Sequence, residues 1–216
     1  AFELRRLQSE LLTRAAMADP QAAETLIEKI SSSDQPESAE SDRLAKKKAF
    51  LFGQVAQSLA TEQPELAARW VEKSFQTAMS GWAAQALDNI RQQNPQLADA
   101  TLGKVLTQVE REPGTSVQSV MALAGYLFPG KLQGTLIFND GIEDVSFRMK
   151  SAGNISGGDA SPIVASRFLN VAYERCLTSL SAVKPSQINA GTGELDSLGK
   201  AVVMLRRLLE ERSPEK

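Results

Sequence analysis

The 216-residue chain has no histidine and a single cysteine, Cys176. The missing histidine removes every Ser-His-Asp or Cys-His catalytic pair, every histidine-ligated metal site and any histidine pH switch. One cysteine cannot form an internal disulfide or a cysteine-cluster metal site. Long apolar runs are missing too. A membrane-spanning helix needs about 20 consecutive apolar residues, whereas a segment such as Val120 to Phe128 is interrupted by Gly125 and stopped by Pro129. No excess of one charge is present either. Lys and Arg total 24 against 26 Asp and Glu, a net charge of −2, which argues against a general phosphate-binding surface and so against nucleic acid. The chain opens at Ala1 without a charged-apolar leader. Two origins fit that start, a piece of a longer protein or removal of a leader, and the second would place a soluble protein outside the cytoplasm.

What is present is helical periodicity. Leu4, Leu7, Leu11, Leu12 and Ala15 fall on one helix face, and Ala23, Leu26, Ile27 and Ile30 on another. Asp19-Pro20 separates them. An aspartate caps orphan N–H groups, and proline at the first helical position loses no hydrogen bond, so the pair ends one helix and starts the next. Gln63-Pro64 and Asn94-Pro95 occupy the same context. After each proline the third residue is alanine (Ala23, Ala67, Ala98), the seventh is apolar (Ile27, Val71, Leu102) and the ninth is lysine (Lys29, Lys73, Lys104). Apolar positions before the prolines agree as well, as Leu11/Val55/Ala86 and Ala15/Leu59/Ile90. The prolines are 44 and 31 residues apart. The longer interval contains Ser31 to Ser41, a Ser/Asp/Glu/Pro run read as a loop insertion. The underlying repeat is then in the low thirties, a period that signals stacked helix hairpins.

A small residue, an apolar residue four later and another three after that stand here as Ala23-Ile27-Ile30, Ala67-Val71-Ser74 and Ala98-Leu102-Val105. This pattern resembles the second helix of a tetratricopeptide repeat, over residues 4–110. The Trp, Leu-Gly and Tyr positions of that family's first helix are not met, and the closing proline stands at Pro113. The resemblance implies a scaffold that binds peptides or partner domains on a concave face.

Further helices follow from the same signals. Ser80 is positioned to cap a helix carrying Trp82, Ala86, Leu87 and Ile90, and Thr115 or Ser116 to cap Val117 to Leu127. Ser161-Pro162 opens a helix with Ile163, Val164, Phe168, Val171, Ala172, Leu177 and Leu180 as its apolar positions. Leu195, Leu198, Val202, Leu205 and Leu209 mark the last helix, with Arg206, Arg207 and Arg212 near the end that its dipole favours. Residues 131–160 break the pattern. Thr135 to Phe138 and Val145 to Phe147 flank Asn139-Asp140-Gly141, the signature of a short β-hairpin.

The expectation is an all-α fold of antiparallel helix-hairpin repeats stacked as a short α-solenoid, with one irregular insertion that can hold a small β-hairpin. It is read as a single domain, 1–216, with repeat hairpins over 4–130, the insertion over 131–161 and a C-terminal helix pair over 162–212.

Candidate sites are few. Asp140, Glu143, Asp144 and Asp159 could offer oxygen ligands to calcium or magnesium, but their spacing is not that of an EF-hand loop, and a solvated turn is the simpler reading. Gly153 to Gly158 lacks the Gly-Lys-Ser/Thr ending of a phosphate-cradling loop. Lys46-Lys47-Lys48 reads as a solvated helix start, and Cys176 as a buried, inert thiol. Glu110/Glu112 and Glu210/Glu211 sit among charges, with no apolar context to raise a pKa for acid–base work. No catalytic, cofactor or metal residue is assigned. Trp70, one position off the Ala67/Val71 stripe, is the candidate partner-binding aromatic. The function expected is a helical-repeat scaffold for an unidentified protein or peptide, without catalysis. The alternatives are an enzyme or divalent-metal protein with a carboxylate site in 131–160, and a structural segment of a larger multi-domain protein.

Overall fold

A computed structural model describes residues 2–32, 41–78, 80–112, 117–121, 123–128, 132–139, 142–149, 161–183 and 193–212. Only the backbone course is described for 2–6, 41–42, 118–119, 125, 132–149, 193–197 and 211–212. The helices are α1 (Phe2–Ala18), α2 (Pro20–Ser32), α3 (Ser41–Leu59), α4 (Pro64–Thr77), α5 (Gly81–Gln93), α6 (Pro95–Arg111), α7 (Val117–Met121), α8 (Ala124–Leu127), α9 (Pro162–Ala182) and α10 (Gly193–Arg212). Strands β1 (Leu132–Asn139) and β2 (Ile142–Met149) pair in a two-stranded sheet, each longer than the short apolar runs within it suggested. By its contacts the chain divides into two compact units, residues 1–105 with 134–146, and residues 106–133 with 147–216.

In the first unit one junction is built three times. The residue before each proline closes the last turn of the preceding helix, and its carbonyl then accepts from the repeating alanine. Asp19 N–H donates to Ala15 O at 2.8 Å and Ala23 N–H to Asp19 O at 3.0 Å. Gln63 and Asn94 do the same, taking the N–H of Ala67 at 2.9 Å and of Ala98 at 3.1 Å. Side-chain caps complete two of the three junctions. Asp19 Oδ1 accepts from Gln21 and Ala22 at 3.0 and 3.1 Å, and Asn94 Oδ1 from Leu97 at 3.0 Å. Gln63 makes no side-chain cap bond. Its extra methylene removes the short reach that favours Asp and Asn there.

The three alanines are fully buried, and so are Ile27, Val71, Ser74, Leu102 and Val105 of the repeated triplets. Ser74 stands where an apolar residue would be expected, and its hydroxyl donates to the buried carbonyl of Ala49 on α3 at 2.8 Å. Alpha1 packs on α2, α3 on α4, and α3 again on α5. The α3–α5 approach is close at Gly53, where an added Cβ would lie 2.9 Å from both Ala83 N and Trp82 Cβ. Ser80 stands at the N-cap of α5 without making a side-chain cap bond, a correction to the expected cap, and its Oγ faces Gly53 instead.

The α1 stripe is also corrected. Leu12 and Ala16 are buried, while Leu7 and Leu11 are each 57% exposed. Alpha1 packs on α2 and α3, and the stripe those two helices cover is narrower than the apolar set its periodicity marks.

In the second unit α7 packs on α8, α9 and α10, and α9 packs on α10. Phe128 meets Phe168 with ring centroids 6.0 Å apart at an interplanar angle of 59°. Ser161 caps α9, accepting from Val164 N–H at 3.4 Å, with Pro162 at the first helical position. Phe168, Val171 and Ala172 are buried as their spacing predicts, but Ile163, Leu177 and Leu180 of the same predicted set are exposed. In α10, Leu198 and Leu205 are buried, whereas Val202 and Leu209 are exposed and Ala201, Met204 and Leu208 are covered.

Candidate functional site

Trp70 lies on α4 and is 1% exposed, so its assignment as a surface anchor is corrected: its indole belongs to the core. Position alone does not expose it, because α4 is flanked by both α3 and α5 and a side chain one step off the stripe is still covered. Phe52 of α3 packs against it at a centroid distance of 5.7 Å, tilted by 36°. The Lys73 ammonium lies 5.9 Å from the indole centroid, within cation–π range. Trp70 Nε1 is buried without an acceptor among the described residues.

Lys73 leads outward from this core to a row of charges. It pairs with Glu24 on α2, and Lys104 Nζ pairs with Glu72 on α4 at 2.7 Å. Lys73 and Lys104 are the ninth residues after Pro64 and Pro95, so two of the three repeated lysines reach a carboxylate on the preceding proline-led helix. Arg91 and Asp99 link α5 to α6 at 3.3 Å, both largely covered. The basic run at the start of α3 turns toward α2. Lys47 Nζ donates to Ile30 O at 3.2 Å near the carbonyl end of α2, and Lys48 pairs with Glu28 at 3.2 Å. A cation at a helix C-terminus satisfies orphan carbonyls and the dipole together.

The second unit holds a clamp that sequence reasoning missed. Arg167 of α9 donates from Nε and Nη2 to the two carboxylate oxygens of Glu110 at 2.9 and 2.6 Å, and from Nη2 to Thr107 Oγ1 at 2.8 Å. Two turns later Arg175 donates to the carbonyl of Val109 in the last turn of α6. The available signal was the spacing of the two arginines, eight residues apart on one helix face. The bond from Arg167 holds the Glu110 carboxyl below the ordinary carboxylate range, and the same bond raises the guanidinium. Glu110 is therefore an anchored anion with no proton to supply near neutrality. Burial pushes the Cys176 thiol up, which disfavours the reactive thiolate.

Of the carboxylates considered for a metal, Asp140 and Asp159 lie outside the described residues, as does the segment Gly153 to Gly158. Glu143 and Asp144 fall on β2 with their side chains outside the description. Among the described residues, no group of three His, Cys, Asp or Glu side chains is placed to hold a metal ion. No described helix is long and apolar enough to cross a membrane. The chain matches no protein-family model, no curated protein and no solved structure. Among the described residues, helices packed against one another with one two-stranded sheet define the class of the fold.

Proposed function

We propose that the chain is a scaffold for protein–protein or peptide interaction, built from tetratricopeptide-like helix hairpins stacked as a short α-solenoid. The observation that carries this is the equivalence of the repeated positions. Three alanines at the third place after proline are all fully buried, and two lysines at the ninth place each bind the preceding proline-led helix. Repeated sequence positions performing repeated packing tasks are the mark of a modular array, and such arrays act by presenting an extended surface. Trp70 is not part of that surface. Crosslinking the protein in its native source, followed by mass spectrometry, tests the proposal. One recurrent partner crosslinked through residues 4–110 is the expected result, and crosslinks confined to the chain itself would count against it. The competing enzyme or metal reading predicts saturable heat on calorimetric titration with calcium or magnesium.

A second reading, a segment of a longer helical array, draws on Leu7 and Leu11. Both are apolar, four residues apart on the first helix, and exposed. A neighbouring hairpin would cover them. Leu7→Ser with Leu11→Ser should then leave the melting temperature of this chain unchanged, while destabilising any longer form that contains the neighbour.

A further inference from the structure

Ile163, Ser166, Asn170, Tyr173, Leu177 and Leu180 follow one another along α9 at steps of three, four, three, four and three. All six are exposed, and the apolar members are large: Ile163 82%, Tyr173 49%, Leu177 43% and Leu180 48%. This is a heptad seam, the spacing with which one helix meets another in a coiled coil. It is separate from the face of α9 that carries Phe168, Ala172 and Cys176 into the core. We propose that the seam is a homodimerisation surface, on which α9 of a second copy of this chain packs antiparallel.

Self-complementarity of the seam selects that occupant. Pairing two copies about the point midway between Asn170 and Tyr173 sets Ile163 against Leu180 of the second copy. Ser166 then faces Leu177, and Asn170 faces Tyr173. Small meets large in the inner layers and aliphatic meets aliphatic at the ends. The Asn170 amide and the Tyr173 hydroxyl supply donor and acceptor to each other at the centre. Arg167 and Glu174 each directly follow a seam position, on the flank where antiparallel helices exchange charges. Their places relative to the midpoint bring Arg167 beside Glu174 of the second copy, twice by the two-fold axis. Arg167 keeps its bond to Glu110, because a guanidinium carries five donors and serves more than one carboxylate. A parallel pairing would instead set Asn170 on Asn170 and Tyr173 on Tyr173, without a charge pair. A single helix of this length makes a contact at the small end of specific interfaces, below about 1,200 Å², so the dimer should be reversible with Kd on the order of micromolar.

Sedimentation of the whole chain from about 1 to about 300 µM should show a monomer–dimer equilibrium. Leu177→Glu should weaken it by at least about tenfold, with the helical circular dichroism unchanged because the position is exposed in the monomer. Val203→Glu, at an exposed site on α10, should leave it intact. A disulfide reading decides the register independently of any folding defect in the glutamate variant. With Cys176→Ser in both chains, a mixture of Ser166→Cys and Leu177→Cys chains should form an interchain disulfide on mild oxidation, and neither variant should do so alone. In the antiparallel register each of these positions lies about 16 Å along the axis from its own copy, beyond disulfide reach. A chain that stays monomeric throughout overturns the proposal, whatever else covers the seam. So does a dimer indifferent to Leu177→Glu, or a Ser166→Cys chain that crosslinks to itself.

Discussion

Gly53 offers a direct test of how the first unit is held together, because two opposing effects on one substitution have known sizes. It lies within α3, where alanine is favoured over glycine by about 0.8–1 kcal/mol on helix propensity alone. An added Cβ would meet Ser80 Oγ at 2.7 Å, Ala83 N at 2.9 Å and Trp82 Cβ at 2.9 Å. The serine hydroxyl can rotate away. The other two atoms are backbone or attached directly to it, so relief requires α5 itself to move by several tenths of an ångström. Overpacking of that kind costs about 1–3 kcal/mol, so against the propensity gain Gly53→Ala should destabilise by up to about 2 kcal/mol net. Gly103 of α6 is the matched control. A Cβ there meets nothing within 4 Å, and Gly103→Ala should stabilise by about 0.5–1 kcal/mol. At about 2–4 °C per kcal/mol for chains of this size, the two melting temperatures should move in opposite directions and separate by up to roughly 12 °C. Thermal melts by circular dichroism, with urea titrations for free energies, read this directly. If Gly53→Ala matches or exceeds Gly103→Ala in stability, the α3–α5 approach is looser than described and the packing account of the first unit fails.

Three other outcomes follow from the same contacts. Ala67→Leu and Ala98→Leu should each cost about 1–3 kcal/mol by overpacking, while Ala100→Leu, at an exposed position of α6, should be close to neutral in the same melts. Arg167 lowers the Glu110 carboxyl in the folded state, so the pair's stabilisation is complete above the ordinary carboxylate range and is lost as pH falls through that range toward the lowered value. Melting temperatures from about pH 7 to about pH 3 should therefore fall less steeply for Glu110→Gln than for the parent chain, and equal slopes would show the bond to be energetically silent. In a Trp82→Phe variant, Trp70 is the sole tryptophan, and its emission should be blue-shifted and resist iodide quenching until the chain unfolds.

The elements legible in the sequence are those whose cause is local. Asp19-Pro20, Asn94-Pro95 and Ser161-Pro162 act within four residues of themselves, by capping N–H groups and fixing the proline dihedral, and each starts a helix where it was expected. The buried alanines were legible too, because repetition marks positions that face the same neighbour each time. Charge pairing was not. Glu24 and Lys73 are 49 residues apart, and Glu110 and Arg167 are 57 apart, so only the fold brings them into range. The same limit misplaced the flanks of helices. Trp70 and Leu11 differ little by periodicity, yet Trp70 is 1% exposed on α4, which packs on α3 and α5, while Leu11 is 57% exposed on α1, which packs on α2 and α3. Periodicity identifies which residues of a helix can be buried together. Which of them lose their water depends on where the neighbouring helices lie against that face, and that is a property of the assembled tertiary structure, because burial is an area shared between surfaces distant in sequence.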